Sequence, residues 1–160
     1  MKISIITVCY NSSKTIGDTI KSVNNQTYPN IEHIFVDGLS SDDTINIINS
    51  NAKRNPIVIS DSDNGLYDAM NKGILLATGD IIGILNSDDI YANKNVISNI
   101  NKQIKLFKVD SAYGDLVYTK SDDLNKTIRY WKSGDFSKKK FLYKCMICFK
   151  CGWCIVVIAK

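Results

Sequence analysis

The sequence predicts an α/β fold in which helices flank a mainly parallel sheet. Residues 3–8 (ISIITV) form a nearly continuous β-branched run, which is typical of a strand buried on both faces. Runs of this kind alternate with segments of helical periodicity, and this alternation predicts right-handed crossover connections. The chain has 160 residues, of which 44% are hydrophobic, and is therefore long enough to enclose the core of one domain.

The first half of the chain predicts the order β-α-β-α-β. A helix follows the first strand, with Ser12 or Ser13 as its cap and with apolar residues at three- and four-residue spacing. Residues 31–36 are expected to form the second strand, and Asp42 is expected to cap the next helix. Residues 57–59 then form a short third strand.

The second half continues the alternation. A helix is predicted over residues 66–77, and Gly79 suits a left-handed cap at its end. The remaining predicted elements are a strand at residues 81–85, a helix at 94–105, and strands near 112–118 and 128–131.

Composition and charge exclude several classes of protein. The net charge of +4 is mild, and the basic residues are spread rather than packed into one block, so we expect no nucleic-acid partner. The N-terminal run lacks the features of a signal peptide, and the longest other apolar run, CIVVIA, is far shorter than the roughly 20 residues of a membrane span. We therefore expect a cytoplasmic protein.

Polar side chains gather where the predicted strands end. The carboxyl ends of parallel strands share one edge of a sheet, and ligands bind in the crevice beyond that edge. Any one of these residues could equally cap a turn, but their convergence favours a ligand site. They are Thr7, Tyr10 and Asn11 after the first strand, Asp37, Gly38 and Ser40 after the second, Asp61 and Asp63 after the third, and Asn86, Asp88 and Asp89 after the fourth.

The adjacent acids Asp88 and Asp89 indicate a metal. Two neighbouring carboxylates raise each other's pKa unless a cation lies beside them. Ligands that are all oxygen suit Mg²⁺ or Mn²⁺ rather than zinc, and Mg²⁺ commonly shares its site with substrate phosphates. The sequence contains neither a G-x-x-x-x-G-K-[ST] loop nor a G-x-G-x-x-G turn after the first strand. A phosphate-bearing substrate held through the metal is therefore expected.

Two long stretches together resemble a known family. They are ITVCYNSSKTIGDTIKSVNNQTYPNIEHIFVDGLSSDDT and SDNGLYDAMNKGILLATGDIIGILNSDD, and they are similar to the N-terminal half of a family-2 glycosyltransferase with the Rossmann-like GT-A fold. The stretches YGDLVY and RYWKSGDF resemble the branch that builds bacterial cell-surface polysaccharide. The resemblance implies inverting transfer of a sugar from a nucleoside diphosphate sugar, often UDP-linked, to a saccharide or lipid-linked acceptor, with Mn²⁺ or Mg²⁺ as cofactor.

The resemblance assigns a nucleoside pocket to the ends of the first two strands. Thr7, Tyr10 and Asn11 match residues that line it, and Asp37 matches the acid that reads the base. A carboxylate can accept a hydrogen bond from the imide of uracil, and a tyrosine ring offers a stacking face. An ordinary half-buried aromatic is the alternative for Tyr10.

The resemblance also assigns residues to the diphosphate and the metal. Asp61 matches the acid before the NGLYDAMNKG helix, in which Lys72 could face the diphosphate or remain a solvated surface lysine. Asn86 and Asp88 match nucleotide-sugar-binding positions. Asp88 and Asp89 match the metal ligands, with Asp88 as the first choice.

A general base is expected outside the matched region. An inverting transferase needs a group that takes the acceptor proton on the sugar face opposite the leaving diphosphate. The family supplies this base from an acid beyond the end of this chain, so Asp115 in YGDL is the remaining candidate, with ordering of a loop as its alternative role. The single histidine, His33, lies within the second strand and is expected to pack.

The tail at residues 135–160 is expected to be distinct from a nucleotide-sugar-binding domain at residues 1–134. After about Tyr143 the pattern changes to KCMICFKCGWCIVVIAK, which indicates a truncation or frameshift and a fold that is incomplete at the C-terminus. The cysteines could instead bind zinc or an iron–sulfur cluster, but their spacing matches neither pattern well. Lys138 to Lys140 with the apolar tail could contact the cytoplasmic membrane face. The cysteines are Cys145, Cys148, Cys151 and Cys154.

Two rival functions remain beside a glycosyltransferase. The first is a module that binds a nucleotide sugar without transferring it, which the altered tail favours. The second is a nucleotidyltransferase that uses the same acids on a triphosphate. Such an enzyme would be expected to carry a glycine-rich or basic loop after the first strand, and YNSSKT is a poor one.

Overall fold

The computed structural model of the chain describes residues 1–120, 123–124, 126–133 and 157–159. The chain divides into two compact units. The first comprises Met1–Ala112 together with Val157–Lys160, and the second comprises Tyr113–Val156.

The first unit contains the alternating strands and helices. Its elements are β1 (Ile3–Cys9), α1 (Ile16–Asn24), β2 (Ile31–Asp37), α2 (Thr44–Asn51), β3 (Ile57–Ser60), α3 (Leu66–Leu76), β4 (Ile81–Ile84), α4 (Val96–Phe107) and β5 (Ser111–Ala112). The second unit contains β6 (Leu116–Thr119) and β7 (Thr127–Trp131), and β8 (Val157–Ala159) belongs to the first. Among the residues that the structure describes, no helix is long and apolar enough to cross a bilayer.

The first unit is built on a six-stranded sheet in the order β3-β2-β1-β4-β8-β5. β1 pairs in parallel with β2 and β4, and β2 pairs in parallel with β3. β8 is antiparallel to both β4 and β5. The predicted mainly parallel α/β sheet is therefore confirmed. The strand near residues 112–118 is instead two strands in different sheets, and β8 was not predicted.

Both faces of the central strands are buried, as the β-branched run predicted. Every residue of β1 and β2 is buried. Because successive side chains of a strand point to opposite faces, Ile6 and Val8 pack in one cluster with Ala69 of α3. Cys9 packs in the other cluster, with Ile16 of α1. The sheet is thus a middle layer with helices on both sides.

The predicted helix caps take a different form in the structure. α1 begins at Ile16 rather than next to Ser12 or Ser13, and no side chain caps it. Ser12 contributes its backbone carbonyl instead, which accepts hydrogen bonds from the amides of Thr15 and Ile16 at 3.0 Å each. Asp42 does act at the start of α2, because its carboxylate accepts a hydrogen bond from the amide of Thr44 at 3.1 Å.

Two glycines of the first unit serve different needs. Gly65 has a φ of 105°, so the expected left-handed turn before α3 is present. Gly79 is not among the described residues with positive φ, and the left-handed cap predicted there is wrong. A Cβ at Gly79 would lie 2.8 Å from the amide nitrogen of Ser4 and 2.9 Å from the carbonyl oxygen of Lys2. The glycine is needed for this close backbone approach.

The second unit contains a two-stranded antiparallel sheet of β6 and β7. Leu116 pairs with Trp131, and the register shifts by a bulge between Tyr118 and Thr119. The strand expected at residues 128–131 corresponds to β7. The loop before β6 carries Asp115, the candidate base.

Candidate functional site

The loops after β1 and β2 are joined by hydrogen bonds at the carboxyl edge of the sheet. The amide of Asn11 donates to the hydroxyl of Ser40 at 2.8 Å, and the side-chain oxygen of Asn11 accepts from the amide of Ser41 at 2.9 Å. The amide of Ser12 donates to the hydroxyl of Thr44 at 2.8 Å. Asn11 has a φ of 48°, a left-handed conformation that asparagine tolerates better than most residues. These contacts fix the two loops as one surface.

The loop after β4 is fixed to the same surface. The hydroxyls of Ser12 and Ser87 share a hydrogen bond of 2.9 Å. Thr19 of α1 donates to the backbone carbonyl of Ser87 at 3.0 Å. The amide of Leu85 donates to the carbonyl of Ile6 at 2.9 Å, which extends the pairing of β4 with β1 to the start of this loop. The convergence of strand ends predicted from sequence is present for these loops.

The acids after β4 lie in a tight turn. The amide of Asp89 donates to the carbonyl of Asn86 at 3.1 Å, and the side-chain amide of Asn86 donates to a carboxylate oxygen of Asp89, also at 3.1 Å. Asp88 is exposed and Asp89 is half-buried. Asn86 therefore orients Asp89.

The electrostatics of this turn favour a bound cation. Burial, with the neighbouring charge of Asp88 as a second cause, raises the pKa of Asp89 to about 7. Burial also raises the pKa of Asp88. A divalent cation would relieve both effects because it stabilises the ionised form of each carboxylate.

The carboxylates of this turn fit a hard divalent metal that leaves some of its coordination positions to water or substrate. No group of three or more His, Cys, Asp or Glu side chains suited to a metal occurs in the part of the chain that the structure describes. Asp88 and Asp89 alone would supply carboxylate oxygens. Mg²⁺ and Mn²⁺ accept this arrangement, in which water and substrate phosphates complete the coordination.

A second group of side chains surrounds Gly38 at the end of β2. A Cβ at Gly38 would lie 2.7 Å from a carboxylate oxygen of Asp63 and 3.5 Å from Cδ2 of Tyr10. Tyr10 is 65% exposed, so its ring is available to a ligand. Asp63 also accepts a hydrogen bond from the amide of Gly65 at 2.8 Å. Asp63 was predicted as a strand-end acid but not as a site residue, and its position two residues before Gly65 is the sequence signal for this turn.

Asp37 is enclosed by hydrogen-bond donors. Its side chain is fully buried. One carboxylate oxygen accepts from the amide of Ser40 at 2.9 Å and from the hydroxyl of Ser60 at 2.7 Å, and the other accepts from the hydroxyl of Ser40 and from the thiol of Cys9 at 3.7 Å. This geometry gives Asp37 a role in ordering the loop. Contact of Asp37 with the base stays a prediction from the resemblance.

Thr7 also lies inside the protein. It is fully buried, and its hydroxyl shares a hydrogen bond of 2.8 Å with Nε2 of His33. His33 is fully buried as well and packs against Phe35 with ring centroids 3.9 Å apart. Burial lowers the pKa of His33 to about 3, so its ring is neutral. The assignment of Thr7 to the nucleotide pocket stays a prediction.

Lys72 is engaged with its own loop. Its ammonium group donates to the backbone carbonyl of Ser62 at 2.5 Å and lies 3.4 Å from the carboxylate of Asp61 and 3.8 Å from that of Asp68. Asp61 itself is exposed, and its amide donates to the carbonyl of Asp37 at 3.0 Å. The structure brings Asp61 and Lys72 together, and contact of either residue with a diphosphate stays a prediction.

Asp115 is held by its own unit. Its carboxylate accepts hydrogen bonds from the hydroxyl of Tyr130 and, at 2.9 Å each, from the amide and hydroxyl of Ser133. The bond from Tyr130, followed by those from Ser133, lowers the pKa of Asp115. A carboxylate in this state orders the loop and is a weak general base. The four cysteines of the tail and Lys138 to Lys140 lie outside the described residues.

A family model and a known relative both identify this chain as similar to glycosyltransferases. The model of the family described as Glycosyl transferase family 2 matches residues 4–160, and this match includes the tail. A PGL/p-HBAD biosynthesis glycosyltransferase of Mycobacterium bovis is 31% identical over 148 residues, which make up 91% of this chain and 56% of that protein. The chain thus spans about half the length of this relative.

Two solved structures share the fold. S. aureus TarS 1–349, in complex with UDP-GlcNAc, superimposes with a TM-score of 0.66 and 27% identity over 75% of this chain and 35% of that chain. The mannosyltransferase PcManGT of Pyrobaculum calidifontis, in complex with GDP-Man and Mn²⁺, superimposes with a TM-score of 0.64 and 20% identity over 78% of this chain and 37% of that chain. The predicted GT-A fold is confirmed, and the chain belongs to glycosyl transferase family 2.

Proposed function

We propose that this chain binds a nucleoside diphosphate sugar, with UDP as the nucleotide, for inverting transfer of the sugar to a saccharide or lipid-linked acceptor. The bound sugar nucleotide is held through Mn²⁺ or Mg²⁺ on Asp88 and Asp89. The UDP-GlcNAc complex of TarS, at 27% identity, supports a sugar nucleotide of this kind. Cell-surface polysaccharide is the proposed product, on the resemblance of YGDLVY and RYWKSGDF to that branch of the family.

The acid pair after β4 is the observation that carries this proposal. The carboxylates of Asp88 and Asp89 follow a central strand, and the preceding Ser87 is bonded to Ser12 after β1. The pKa of Asp89 is raised to about 7 by burial and by Asp88. Adjacent acids are unfavourable in a turn with no other role, because the two carboxylates repel each other, whereas a cation site needs both carboxylates and the bound cation offsets their repulsion.

The roles of the chain's own residues follow from their positions. Asp88 and Asp89 hold the cation, and Asn86 fixes Asp89 through its side-chain amide. When bound, the cation neutralises the charge that develops on the diphosphate leaving group. The exposed ring of Tyr10 beside Gly38 offers a stacking face for the base.

The state of Asp115 favours a second candidate, binding of the nucleotide sugar without transfer. Its carboxylate is occupied by Tyr130 and Ser133, and its lowered pKa makes it a weak acceptor for the proton of an attacking hydroxyl. Loss of general-base catalysis alone typically reduces a rate by about 10²- to 10⁴-fold. Turnover of a sugar nucleotide by this chain with an added acceptor would distinguish transfer from binding alone.

Calorimetry with UDP tests the proposed function. We expect UDP to bind in the presence of Mn²⁺, and we expect Asp88→Asn to weaken binding at least about tenfold, which corresponds to roughly 1.4 kcal/mol. Asp18→Asn is the matched control because Asp18 is an exposed acid on α1. Equal UDP affinity with Mn²⁺ and with EDTA would contradict the proposal. GDP measured in parallel tests the choice of base.

A further inference from the structure

The C-terminal end of α4 exposes large apolar side chains. Leu106 and Phe107 are each 64% exposed, and Val109 just beyond the helix is 41% exposed. The same helix buries Ile97 and Ile104 against the first unit. Ile97 and Ile104 therefore mark the packed face of α4, and the last apolar residues of the helix are not part of the core.

Helical geometry places Leu106 away from the packed face. Each residue advances by about 100° around the helix, so Leu106 lies about 200° from Ile104. Lys102 is four residues before Leu106 and lies on the same exposed side. Lys105 is its direct neighbour, and both lysines are exposed. Leu106 is thus bordered on one side by two cations on the solvent face of the helix.

The charged residues of α4 and its C-cap are all cations. The helix sequence VISNINKQIKLF contains no acid. Lys108, the C-cap residue, has left-handed backbone angles (φ 51°, ψ 44°) and adds a third exposed cation. Asp110 is the nearest acid along the chain. We call Lys102, Lys105, Leu106, Phe107, Lys108 and Val109 the α4 patch.

We propose that the α4 patch docks on the surface of an anionic lipid membrane. Aliphatic and aromatic side chains bordered by lysines can enter the headgroup region while the ammonium groups contact lipid phosphates. Each lysine near such a surface contributes about as much as a fivefold change in partitioning. The role of this surface does not depend on the proposed nucleotide binding.

The charge of the α4 patch selects the membrane over a second copy of the chain. A symmetric contact brings each patch against itself, which would place three lysines of one copy opposite three of the other. Like charges in an interface oppose association. An anionic bilayer complements both the lysines and the apolar residues between them.

Vesicle sedimentation tests the proposal. We expect the chain to sediment with phosphatidylcholine vesicles that contain about 30% phosphatidylglycerol and to remain largely free with phosphatidylcholine alone. The triple variant Lys102→Gln/Lys105→Gln/Lys108→Gln should lower the partition coefficient by about 100-fold. Leu106→Ser/Phe107→Ser should lower it by at least about tenfold.

Control variants remove the same charge, or an exposed apolar side chain, at positions outside the α4 patch. Lys14→Gln/Lys21→Gln/Lys53→Gln removes the same charge from other exposed positions, and Leu75→Ser removes an apolar side chain that is 85% exposed on α3. Both should bind as the unchanged chain does. Equal loss in the two triple variants would overturn the proposal. So would dimerisation that Leu106→Ser/Phe107→Ser abolishes without any effect of vesicles.

The salt dependence of vesicle binding can be measured on the unchanged chain, so this test does not depend on whether a variant folds. Binding through three lysines should weaken strongly when the ionic strength rises, because the Debye length falls from about 10 Å at 0.1 M to about 3 Å at 1 M. Sedimentation that is the same at both ionic strengths would overturn the proposal.

Discussion

Replacement of Asp37 by alanine should destabilise the first unit strongly. The carboxylate is fully buried and accepts hydrogen bonds from the amide of Ser40 and from the hydroxyls of Ser40 and Ser60. The hydroxyls can turn to other acceptors, but the Ser40 amide cannot. An unsatisfied amide costs about 1–3 kcal/mol when buried, and the amide of Ser40 is partly buried, so the lower end of this range applies to it. The charged hydrogen bonds that are lost add to this cost. We expect a loss of about 2–4 kcal/mol in the free energy of unfolding.

Urea denaturation followed by circular dichroism measures this effect. Asp37→Asn keeps one carbonyl oxygen for the Ser40 amide, so it should cost about half as much as the alanine variant. Asp61→Ala is the control at the end of the next strand. Its side chain is 64% exposed and its ion pair with Lys72 lies at the surface, so less than about 1 kcal/mol should be lost.

Unchanged stability together with lost UDP binding in Asp37→Ala would refute the structural role of Asp37. If Asp37→Ala leaves the denaturation midpoint unchanged and abolishes UDP binding, the carboxylate contacts the base, as the family resemblance implies. If stability falls and the folded fraction retains its UDP affinity, Asp37 orders the loop. A loss of both would show that the nucleotide pocket needs the ordered loop.

Three further predictions concern stability. Gly79→Ala should destabilise the chain by about 1–3 kcal/mol in urea denaturation because its Cβ would meet the backbone of Ser4 and Lys2, whereas Gly17→Ala, with its nearest neighbour at 3.9 Å, should stabilise α1 by up to about 1 kcal/mol. Thr7→Val should cost about 1–3 kcal/mol by removing the buried partner of His33, with UDP affinity retained in calorimetry. His33 should contribute a loss of stability in acid. Burial lowers the pKa of His33 to about 3, so the unfolded chain takes up this proton first. The contribution of His33 to stability is complete above about pH 6.5 and is lost by up to about 1.4 kcal/mol per pH unit toward pH 3. Burial would raise the pKa of Glu32, but hydrogen bonds from Lys2, Ser4 and Thr78 outweigh it and hold the pKa at about 2, which adds a further loss below about pH 4.5. Asp89 acts in the opposite direction, because its pKa of about 7 lets the folded chain take up a proton before the unfolded chain does. The His33 effect is therefore measured in Asp88→Asn/Asp89→Asn, where the denaturation midpoint should fall from pH 7 to pH 4. A constant midpoint in that variant would contradict the prediction, and adding His33→Gln should flatten the fall above about pH 4.5.

The alternation of strands and helices was readable from sequence because it depends on local periodicity. β1 and β2 show continuous apolar runs, and the structure buries both faces of these strands. β8 belongs to the apolar run CIVVIA, but that run does not reveal its place in the sheet, since its pairing with β4 joins residues far apart along the chain. Gly79 was misjudged for the same reason: the need for a glycine arises from the backbone of Ser4 rather than from the end of α3.

The site could be located from sequence, but the state of its side chains could not. Strand-end residues such as Asp37 and Asp88 look alike in the sequence. In the structure Asp37 is enclosed by donors from Ser40 and Ser60, while Asp88 is exposed beside Asp89. Burial depends on which other loops fold over a residue, and this is a tertiary property. The family resemblance supplied the roles, and the structure separates the carboxylates that can reach a ligand from those that order loops.

The claim that Asp88 and Asp89 hold a divalent cation for a nucleoside diphosphate is tested most directly by electron paramagnetic resonance of Mn²⁺. Titration of Mn²⁺ into the chain should deplete the free-ion signal, more strongly when UDP is present because the diphosphate completes the coordination. Asp88→Asn/Asp89→Asn should weaken Mn²⁺ binding at least about tenfold, whereas Asp115→Asn should bind Mn²⁺ as the unchanged chain does. Equal Mn²⁺ affinity in the double variant and the unchanged chain, with or without UDP, would contradict the claim.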